Sequence, residues 1–284
     1  MKVLITGVKG QLGCDLKKRL ALLCIEHKGV DIDECDLTSL EQTLHMIQAY
    51  QPGCVVHCAA YTAVDNAEAD MEQCYRVNVN ATHNVARACE QLNAKMLYLS
   101  TDYVFPGHGD QPFEVDDRKD PLNAYGKAKL QGEQVMRALI NKSFIVRTSW
   151  MFGINGHNFV KTILRLGKEE EHITVVDNQV GSPTYTEDLA VLLCNMIQTE
   201  KYGVYHATNE GFCSWFEFAQ SCIRLAGLPC RVIPVSTEEY GAKANRPLNS
   251  RLSKRSLAEA GFSLLPTWQD ALERYIMELN NTPQ

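Results

Sequence analysis

Short apolar runs alternate with helical patterns through the first half of the chain. The predicted strands lie at residues 2–6, 54–60, 95–100 and 143–148, and the predicted helices lie at 11–23, 71–92 and 127–139. The run at 54–60 is apolar almost throughout, as expected for a parallel strand that is buried on both faces. Strands that alternate with helices predict right-handed βαβ units. We therefore expect an α/β fold with a Rossmann-like, doubly wound parallel sheet.

The pattern changes after Trp150. A loop rich in glycine and asparagine follows at 153–156, and the later predicted elements are helices at 160–166, 215–225 and 257–279 and a strand at 204–207. The last helix is interrupted near Gly261–Pro266, because glycine and proline are poor helix formers. We expect a Rossmann domain over residues 1–150, to which later segments near 173–210 return. A smaller C-terminal lobe over 151–284 would hold the substrate.

Composition narrows the class of protein. The chain has 284 residues, of which 45% are hydrophobic, so it can bury a sizeable core. Its formal net charge of −6 argues against nucleic acid or an anionic membrane as a partner. Its 11 cysteines fit free thiols in a reducing compartment. No apolar run is long enough for a transmembrane helix or a signal peptide, so we expect a soluble cytoplasmic protein.

One short motif allows a metal site as an interpretation. Cys54, His57 and Cys58 lie close together in the apolar run at 54–60. That run is also a predicted buried strand, where free cysteine is a common small apolar residue. We therefore favour the strand.

A glycine-rich turn joins the first predicted strand to the first helix. Gly7, Gly10 and Gly13 are spaced as GxxGxxG, not as the commoner GxGxxG. Gly7 permits a tight turn, Gly10 lets the backbone approach a pyrophosphate, and Gly13 lets the helix pack closely on the strand. The helix N-terminus adds unpaired N–H groups and a positive dipole end. Three glycines also form plain turns, but a strand before them and a helix after them favour a dinucleotide site.

Two acidic residues follow the glycine-rich turn at about the sequence separation at which dinucleotide-binding folds place the acid that binds the ribose. Between the predicted helix at 11–23 and the strand at 54–60 we expect one further strand, which ends at Asp31, where a carboxylate accepts hydrogen bonds from the adenosine ribose hydroxyls. Asp36 and Leu37 begin the next predicted helix, where Asp36 also fits an N-terminal cap. A solvated loop residue is the alternative at either acidic position.

A tyrosine, a lysine and a threonine form the candidate catalytic group. Tyr125 and Lys129 are four positions apart, which places both on one face of a helix. A neighbouring ammonium favours the phenolate, so Tyr125 could exchange a proton with a substrate oxygen at neutral pH. Thr101 follows the strand at 95–100, at the sheet edge where ligands bind in doubly wound folds, and its hydroxyl could donate to the same oxygen. A surface pair on the helix and a capped strand end are the alternatives.

Several motifs together resemble one enzyme family. They are Gly10-Gln11-Leu12-Gly13, Ala59-Ala60-Tyr61-Thr62-Ala63-Val64-Asp65, Ser100-Thr101-Asp102-Tyr103-Val104-Phe105-Pro106-Gly107, Arg147-Thr148-Ser149-Trp150, Gly181-Ser182-Pro183-Thr184 and Arg246-Pro247-Leu248-Asn249-Ser250-Arg251-Leu252. Over nearly the whole chain, the sequence resembles the dTDP-4-dehydrorhamnose reductases, which are extended short-chain dehydrogenases/reductases. The resemblance implies reduction of the 4-keto group of a dTDP-sugar by NADPH or NADH. Some members of the family bind magnesium through glutamates at a dimer contact, but those ligands have no clear counterpart in this sequence, so we predict no metal that the chemistry needs. Monomer and homodimer both remain open.

The resemblance also implies a set of site residues. The catalytic residues are Thr101, Tyr125 and Lys129. The cofactor contacts are Gly7, Gly10, Gln11, Leu12, Asp36, Leu37, Ala59, Ala60, Tyr61, Tyr125 and Lys129, to which the strand-end argument adds Asp31. The substrate contacts are Val64, Asp65, Tyr103, Phe105, Trp150, Arg246, Asn249 and Ser250. Arg246 offers a planar donor fork for a diphosphate, and Trp150 offers an apolar wall.

Two alternatives remain. One is a nucleotide-sugar 4,6-dehydratase or 4-epimerase of the same superfamily. The other is a non-catalytic dinucleotide-binding protein, like a regulatory subunit of methionine adenosyltransferase, against which the intact catalytic residues argue. The related dehydratases carry Asp-Glu after the catalytic threonine, whereas Asp102 and Tyr103 follow Thr101. A phenol has a reference pKa near ~10, against ~4.3 for Glu, so Tyr103 is a poor base at neutral pH.

Overall fold

The computed structural model describes residues 1–281, and a parallel β-sheet forms its centre. The strands are β1 (Val3–Thr6), β2 (His27–Val30), β3 (Cys54–His57), β4 (Lys95–Thr101), β5 (Ser143–Thr148), β6 (Met151–Phe152), β7 (His172–Val176), β8 (Val180–Gly181), β9 (Thr184–Tyr185), β10 (Gly203–His206), β11 (Cys213–Ser214), β12 (Arg231–Val235) and β13 (Asn249–Ser250). The α-helices are α1 (Gln11–Leu22), α2 (Leu40–Tyr50), α3 (Val64–Ala69), α4 (Met71–Tyr75), α5 (Ala81–Gln91), α6 (Ala124–Leu139), α7 (Phe159–Glu169), α8 (Thr186–Met196), α9 (Trp215–Leu225), α10 (Thr237–Tyr240), α11 (Arg255–Glu259) and α12 (Trp268–Asn281).

The central sheet has the strand order β2-β1-β3-β4-β5-β10, and all its pairs are parallel. β2 lies on one side of β1, and the chain then crosses over so that β3 lies on the other side of β1. Such a reversal opens a crevice at the carboxyl ends of the strands, where doubly wound folds bind ligands. The register brings Thr6 opposite His57 and Thr101 opposite Thr148 at this edge. The predicted fold class is confirmed.

Helices cover both faces of the sheet, which explains why its inner strands are buried. All residues of β1, β3 and β5 are buried. One face packs against α1 and α8, and the other packs against α2, α5 and α6. The contacting side chains include Leu16, Leu20, Leu189 and Leu193 on the first face and Ile47, Val85 and Met136 on the second.

A second core lies in the C-terminal part of the chain and is largely aromatic. It joins α7, α9 and α12, and its buried rings include Phe152, Tyr185, Phe218, Trp268 and Tyr275. Of the segment near 173–210, α8 and β10 belong to the central sheet and its helix layer. In contrast, β7 pairs only with β12, away from that sheet.

The structure corrects several predicted boundaries. The strand at 54–60 ends at His57, and residues 58–60 form a loop above the sheet edge. The helix at 71–92 is three segments, α4, a π-helical turn at Arg76–Asn80, and α5. The prediction that Asp36 and Leu37 begin a helix is wrong, since α2 begins at Leu40 with Ser39 as its N-cap. The Asp36 carboxylate instead accepts hydrogen bonds from the backbone amide and the hydroxyl of Thr38. These two bonds form a local turn motif.

Three elements had no clear sequence signal. Helix α8 buries consecutive residues such as Leu192 and Leu193, so its apolar positions do not follow a single helical stripe. Strand β12 contains Pro234, which argues against a strand except at an edge. Its partner β7 is short and alternates between exposed and buried positions only at its start.

None of the helices within residues 1–281 is both long and apolar enough to cross a membrane. All 11 cysteines lie in this range and are free thiols.

Candidate active site

The glycine-rich turn has the shape that the spacing predicts. Gly7 adopts a φ of +69°, and a Cβ there would lie 2.7 Å from the Ala59 nitrogen. A Cβ on Gly13 would lie 2.3 Å from the Gly7 oxygen, so only glycine allows this approach of helix to strand. Gly10 is the N-cap of α1 and provides no side-chain capping bond. The first amides of α1, from Gln11 and Leu12, therefore remain available for a diphosphate, and the turn fits a dinucleotide.

Acidic side chains line the outer rim of this turn. Asp31 follows β2 directly, and its Oδ2 accepts the Lys9 backbone N–H at 3.0 Å. The Lys9 ammonium pairs with Asp33 and, at 3.6 Å, with Glu34. This rim therefore holds three carboxylates and one ammonium, and Asp31 lies where a ribose contact is predicted.

The loop after β3 is held by an asparagine that the sequence interpretation gave no structural role. The Asn78 side chain accepts the Tyr61 N–H and donates to the Tyr61 carbonyl, both at 3.1 Å. Asn78 is 1% exposed and lies in the π-helical turn between α4 and α5. Single π-helical turns often mark functional sites, but sequence alone does not reveal them. Ala59, Ala60 and Tyr61 are thereby fixed beside Gly7.

His57 is a structural residue of the sheet edge. Its two ring nitrogens contact the Thr6 hydroxyl at 2.7 Å and the Thr82 hydroxyl at 3.2 Å. Burial, with a smaller contribution from Lys129, lowers the pKa of His57 to about 3, so the ring is neutral. In the part of the chain that the structure describes, no group of three or more His, Cys, Asp or Glu residues is arranged to hold a metal ion.

Thr101, Tyr125 and Lys129 converge at the carboxyl edge of the sheet. Thr101 is the last residue of β4, while Tyr125 and Lys129 lie on α6, which Asn123 caps by accepting the Gly126 N–H. Burial raises the pKa of the Tyr125 phenol, and the neighbouring Thr101 hydroxyl partly opposes this rise. Lys129 is 3% exposed, and its ammonium lies 4.1 Å from the centre of the Tyr98 ring. The structure thus brings together the three predicted catalytic residues.

The ionisation of this group differs from the expectation. Burial raises the pKa of Tyr125 well above its usual range, and the neighbouring Asp102 raises it further. Tyr125 is therefore a neutral phenol, not a phenolate stabilised by Lys129. Burial lowers the pKa of Lys129 to about 7, although Glu133 partly opposes this change. A protonated phenol suits Tyr125 to proton donation.

A buried ion pair ties α6 to the sheet. Arg147, in β5, donates to both Glu133 oxygens at 2.9 and 2.7 Å, and both residues are nearly inaccessible. The Ser100 hydroxyl also donates to Glu133, at 2.5 Å. Glu133 lies one helical turn after Lys129, so this pair fixes the helix that carries the catalytic side chains. The sequence interpretation missed Glu133, because no local pattern indicates its distant partner.

Two predicted substrate residues bind each other. Arg246 donates to the Asp65 carboxylate at 2.6 and 3.1 Å, and the Ala244 N–H donates to it as well. These contacts hold the pKa of Asp65 below its usual value. Asp65 and Val64 begin α3, so the pair joins this helix to the loop that precedes β13. The guanidinium fork of Arg246 is thus engaged by a carboxylate rather than open toward a diphosphate.

Two further predicted substrate residues lie below the surface. Phe105 is 1% exposed and stacks on Phe113 with ring centres 4.6 Å apart. Asn249 is 2% exposed, and its amide donates to the carbonyls of His108 and Gln111. In this structure both side chains contribute to packing beneath the site, and their contact with the substrate stays a prediction.

Trp150 forms an aromatic wall at the mouth of the crevice. Its φ of +49° is unusual for a bulky residue, and its ring stacks on Trp215 at 3.7 Å. A Cβ on Gly181 would lie 2.9 Å from the Trp150 ring, so that glycine makes room for it. Trp150 is half-buried and retains an accessible part. Tyr103 packs edge-on against Tyr125 with ring centres 5.6 Å apart, and Ser250 lies next to Asp102.

Comparison with known proteins gives one consistent result. The sequence model of a family described as RmlD substrate binding domain matches residues 1–281. The chain is 40% identical to the spore coat polysaccharide biosynthesis protein SpsK of Bacillus subtilis, over 98% of this chain and 97% of that protein. It is 38% identical to a dTDP-4-dehydrorhamnose reductase of Aggregatibacter actinomycetemcomitans, over 96% and 97%. The crystal structure of a dTDP-4-dehydrorhamnose reductase from Bacillus anthracis in complex with NADP superposes with a TM-score of 0.95, at 44% identity, over 98% of this chain and 99% of that one.

Proposed function

The chain belongs to the RmlD substrate binding domain family, and on that premise we propose that it reduces dTDP-4-dehydrorhamnose to dTDP-L-rhamnose with NADPH or NADH. This reduction is the last step of dTDP-rhamnose biosynthesis. The observation that carries the proposal is the convergence of Thr101, the Tyr125 phenol and the buried Lys129 at the sheet edge that receives ligands.

The chain's own residues bind the reactants and manage the proton. A bound nicotinamide cofactor supplies the hydride. Tyr125 donates its phenolic proton to the C4 oxygen of the sugar as that oxygen gains negative charge. Its raised pKa keeps the proton in place until then. Lys129, while protonated, stabilises the phenolate that remains on Tyr125.

The first α1 turn and the rim around Asp31 support the cofactor site. We propose that the amides of Gln11 and Leu12 bind the diphosphate and that Asp31 accepts the adenosine ribose hydroxyls. We assign the dTDP-sugar to the crevice between Tyr125 and Trp150. We expect the enzyme to work in the cytoplasm, as its free thiols suggest.

We predict appreciable use of NADH beside NADPH. A 2′-phosphate would meet the Asp31 carboxylate, and the nearby Lys9 ammonium is already engaged by Asp33 and Glu34. The ratio of kcat/KM for NADPH to that for NADH should therefore stay below about a hundredfold, ~2.7 kcal/mol at ~1.36 kcal/mol per tenfold. Asp31→Asn should raise this ratio, because it removes the repulsion. A parent ratio above a hundredfold, left unchanged by Asp31→Asn, would contradict this role.

A second prediction separates a reductase from a 4,6-dehydratase. Dehydration of a sugar needs an acid and a base beyond Tyr125 and Lys129, and a phenol occupies the second position of the dehydratase Asp-Glu pair. The protein should therefore make no 4-keto-6-deoxy sugar from dTDP-glucose and NAD⁺ over many turnovers. Chromatography of the nucleotide sugars measures this. Steady multiple-turnover formation of that product would favour the dehydratase.

A further inference from the structure

The Thr101 hydroxyl is fully engaged before any substrate binds. Its Oγ1 lies 3.0 Å from Asp102 Oδ1, and it accepts the Tyr103 N–H at 3.2 Å. A hydroxyl has one proton to donate, and an ionised carboxylate can only accept. While Asp102 is ionised, the Thr101 proton therefore belongs to Asp102 and is not available to a substrate oxygen.

Asp102 is an unusual neighbour for a reacting centre. Its side chain is 4% exposed, and its Oδ2 has no hydrogen-bond partner among residues 1–281. An unpartnered buried oxygen is costly when it carries charge, and protonation of the carboxyl group removes most of that cost. A proton on Oδ1 faces Thr101 Oγ1, with which that oxygen is already in hydrogen-bond contact.

We propose that Asp102 is a positioning residue whose protonation turns the Thr101 hydroxyl toward the substrate's keto oxygen. In the protonated state, Asp102 Oδ1 donates to Thr101 Oγ1, and the threonine proton is released to the keto oxygen beside the Tyr125 phenol. In the ionised state, Asp102 accepts the threonine proton instead, and that donor is lost to the keto oxygen. This proposal rests on the proposed reduction, and it adds that the protonation state of Asp102 regulates the same active site.

The surroundings of Asp102 place this change near neutral pH. Burial raises the pKa of Asp102 to about 6, although the hydroxyls of Ser250 and Thr101 partly oppose the rise. The ionisable groups that face it are the phenols of Tyr103 and Tyr125, both of which stay neutral, because burial raises their pKa values. Arg246 faces Tyr103 on the far side. The released state of Thr101 is therefore populated below about pH 6 and lost above it.

The first test reads the proton directly and needs no turnover. Difference infrared spectra of the full-length protein should show a protonated-carboxyl band that disappears as pH rises through about 6 and is absent from Asp102→Asn. Asp110→Asn, which removes an exposed carboxyl group, is the control and should keep the band. Thr101→Val should move the midpoint upward, because it removes a donor to the carboxylate. A carboxyl band that is identical in Asp102→Asn, or a midpoint that Thr101→Val leaves in place, would overturn the proposal.

The second test reads the consequence for catalysis. At saturating cofactor, kcat/KM for the sugar reports the free binary complex, and in the parent it should fall as pH rises above about 6. Asp102→Asn offers an amide donor to Thr101 at every pH, so its only remaining fall should begin near pH 7, where Lys129 deprotonates. Loss of one oxyanion donor costs about 10²–10³-fold, so Asp102→Asn should exceed the parent at least ~10-fold at pH 8.

A double-mutant cycle between Asp102 and Thr101 shows whether Asp102 acts by positioning the Thr101 hydroxyl or whether its substitution disturbs the site in general. In the Thr101→Val background, Asp102→Asn should leave the pH profile unchanged, because the hydroxyl through which Asp102 acts is absent. A parent profile that is flat between pH 5 and 7, or an Asp102 effect that persists without Thr101, would overturn the proposal. Absence of any NAD(P)H oxidation by the parent would instead refute the proposed function, and the infrared titration would still test Asp102.

Discussion

Tyr125→Phe should lower kcat by about 10²- to 10⁴-fold, the usual contribution of a positioned general acid. The substitution removes the phenolic proton but keeps the ring that packs edge-on against Tyr103. The fold and the affinity for NADPH should therefore stay close to those of the parent. Steady-state kinetics and a fluorescence titration with NADPH measure the two effects separately.

A second tyrosine provides the matched control. The Tyr202 hydroxyl has no hydrogen-bond partner among the described residues, and Tyr202 precedes β10 at the opposite edge of the sheet. Tyr202→Phe should leave kcat within about twofold. If Tyr125→Phe also stayed within a few fold of the parent, the phenol could not be the proton donor.

Arg147→Met should cause the largest loss of stability. It leaves the Glu133 carboxylate buried without its partner, and removal of one member of a buried pair typically costs about 3–5 kcal/mol. The free energy of unfolding from chemical denaturation should fall by that amount. Because Glu133 also anchors α6 and accepts from Ser100, the loss of the pair should reduce kcat as well.

Two variants show whether burial causes this loss. Glu133→Leu combined with Arg147→Met removes both charges, and it should recover most of the stability. Arg165→Met breaks an exposed pair with Glu169 in α7 and should change the free energy of unfolding by at most ~0.5 kcal/mol. Equal losses in Arg147→Met and Arg165→Met would show that burial of Glu133 is not decisive.

Local patterns predicted the parts of the site that lie close together in the sequence. The glycine spacing requires only one turn, and the structure shows the Gly7 conformation and the close approach at Gly13 that it implies. The spacing of Tyr125 and Lys129 requires only a helix, which the structure provides. The end of β4 could be placed because its strand is apolar and ends at hydroxyl residues.

Contacts between distant residues could not be predicted in the same way. Asp65 and Arg246 are 181 positions apart, so nothing local shows that these two residues, which the resemblance implies as substrate contacts, also pair with each other. Trp150 stacks on Trp215 from the second core, which is itself assembled from late elements of the chain. The resemblance implies a substrate contact for Phe105, and no local pattern shows that its ring also stacks on Phe113.

The ionisation states also depend on the assembled fold. The spacing of Tyr125 and Lys129 suggested that the ammonium lowers the pKa of the phenol. In the structure the Lys129 ammonium lies over the Tyr98 ring, and burial raises the pKa of Tyr125. Burial is a property of the whole α6 and sheet interface, so no local motif reports it.

Isotope transfer from the cofactor tests the central claim most directly. The protein is incubated with NADPH that carries deuterium at the transferred position of C4, together with dTDP-4-dehydrorhamnose formed in place by the upstream epimerase. We expect one equivalent of oxidised cofactor for each dTDP-L-rhamnose formed, with the deuterium at C4 of the sugar. Cofactor that stays reduced, or product that forms without deuterium at C4, would rule out hydride transfer to the C4 ketone.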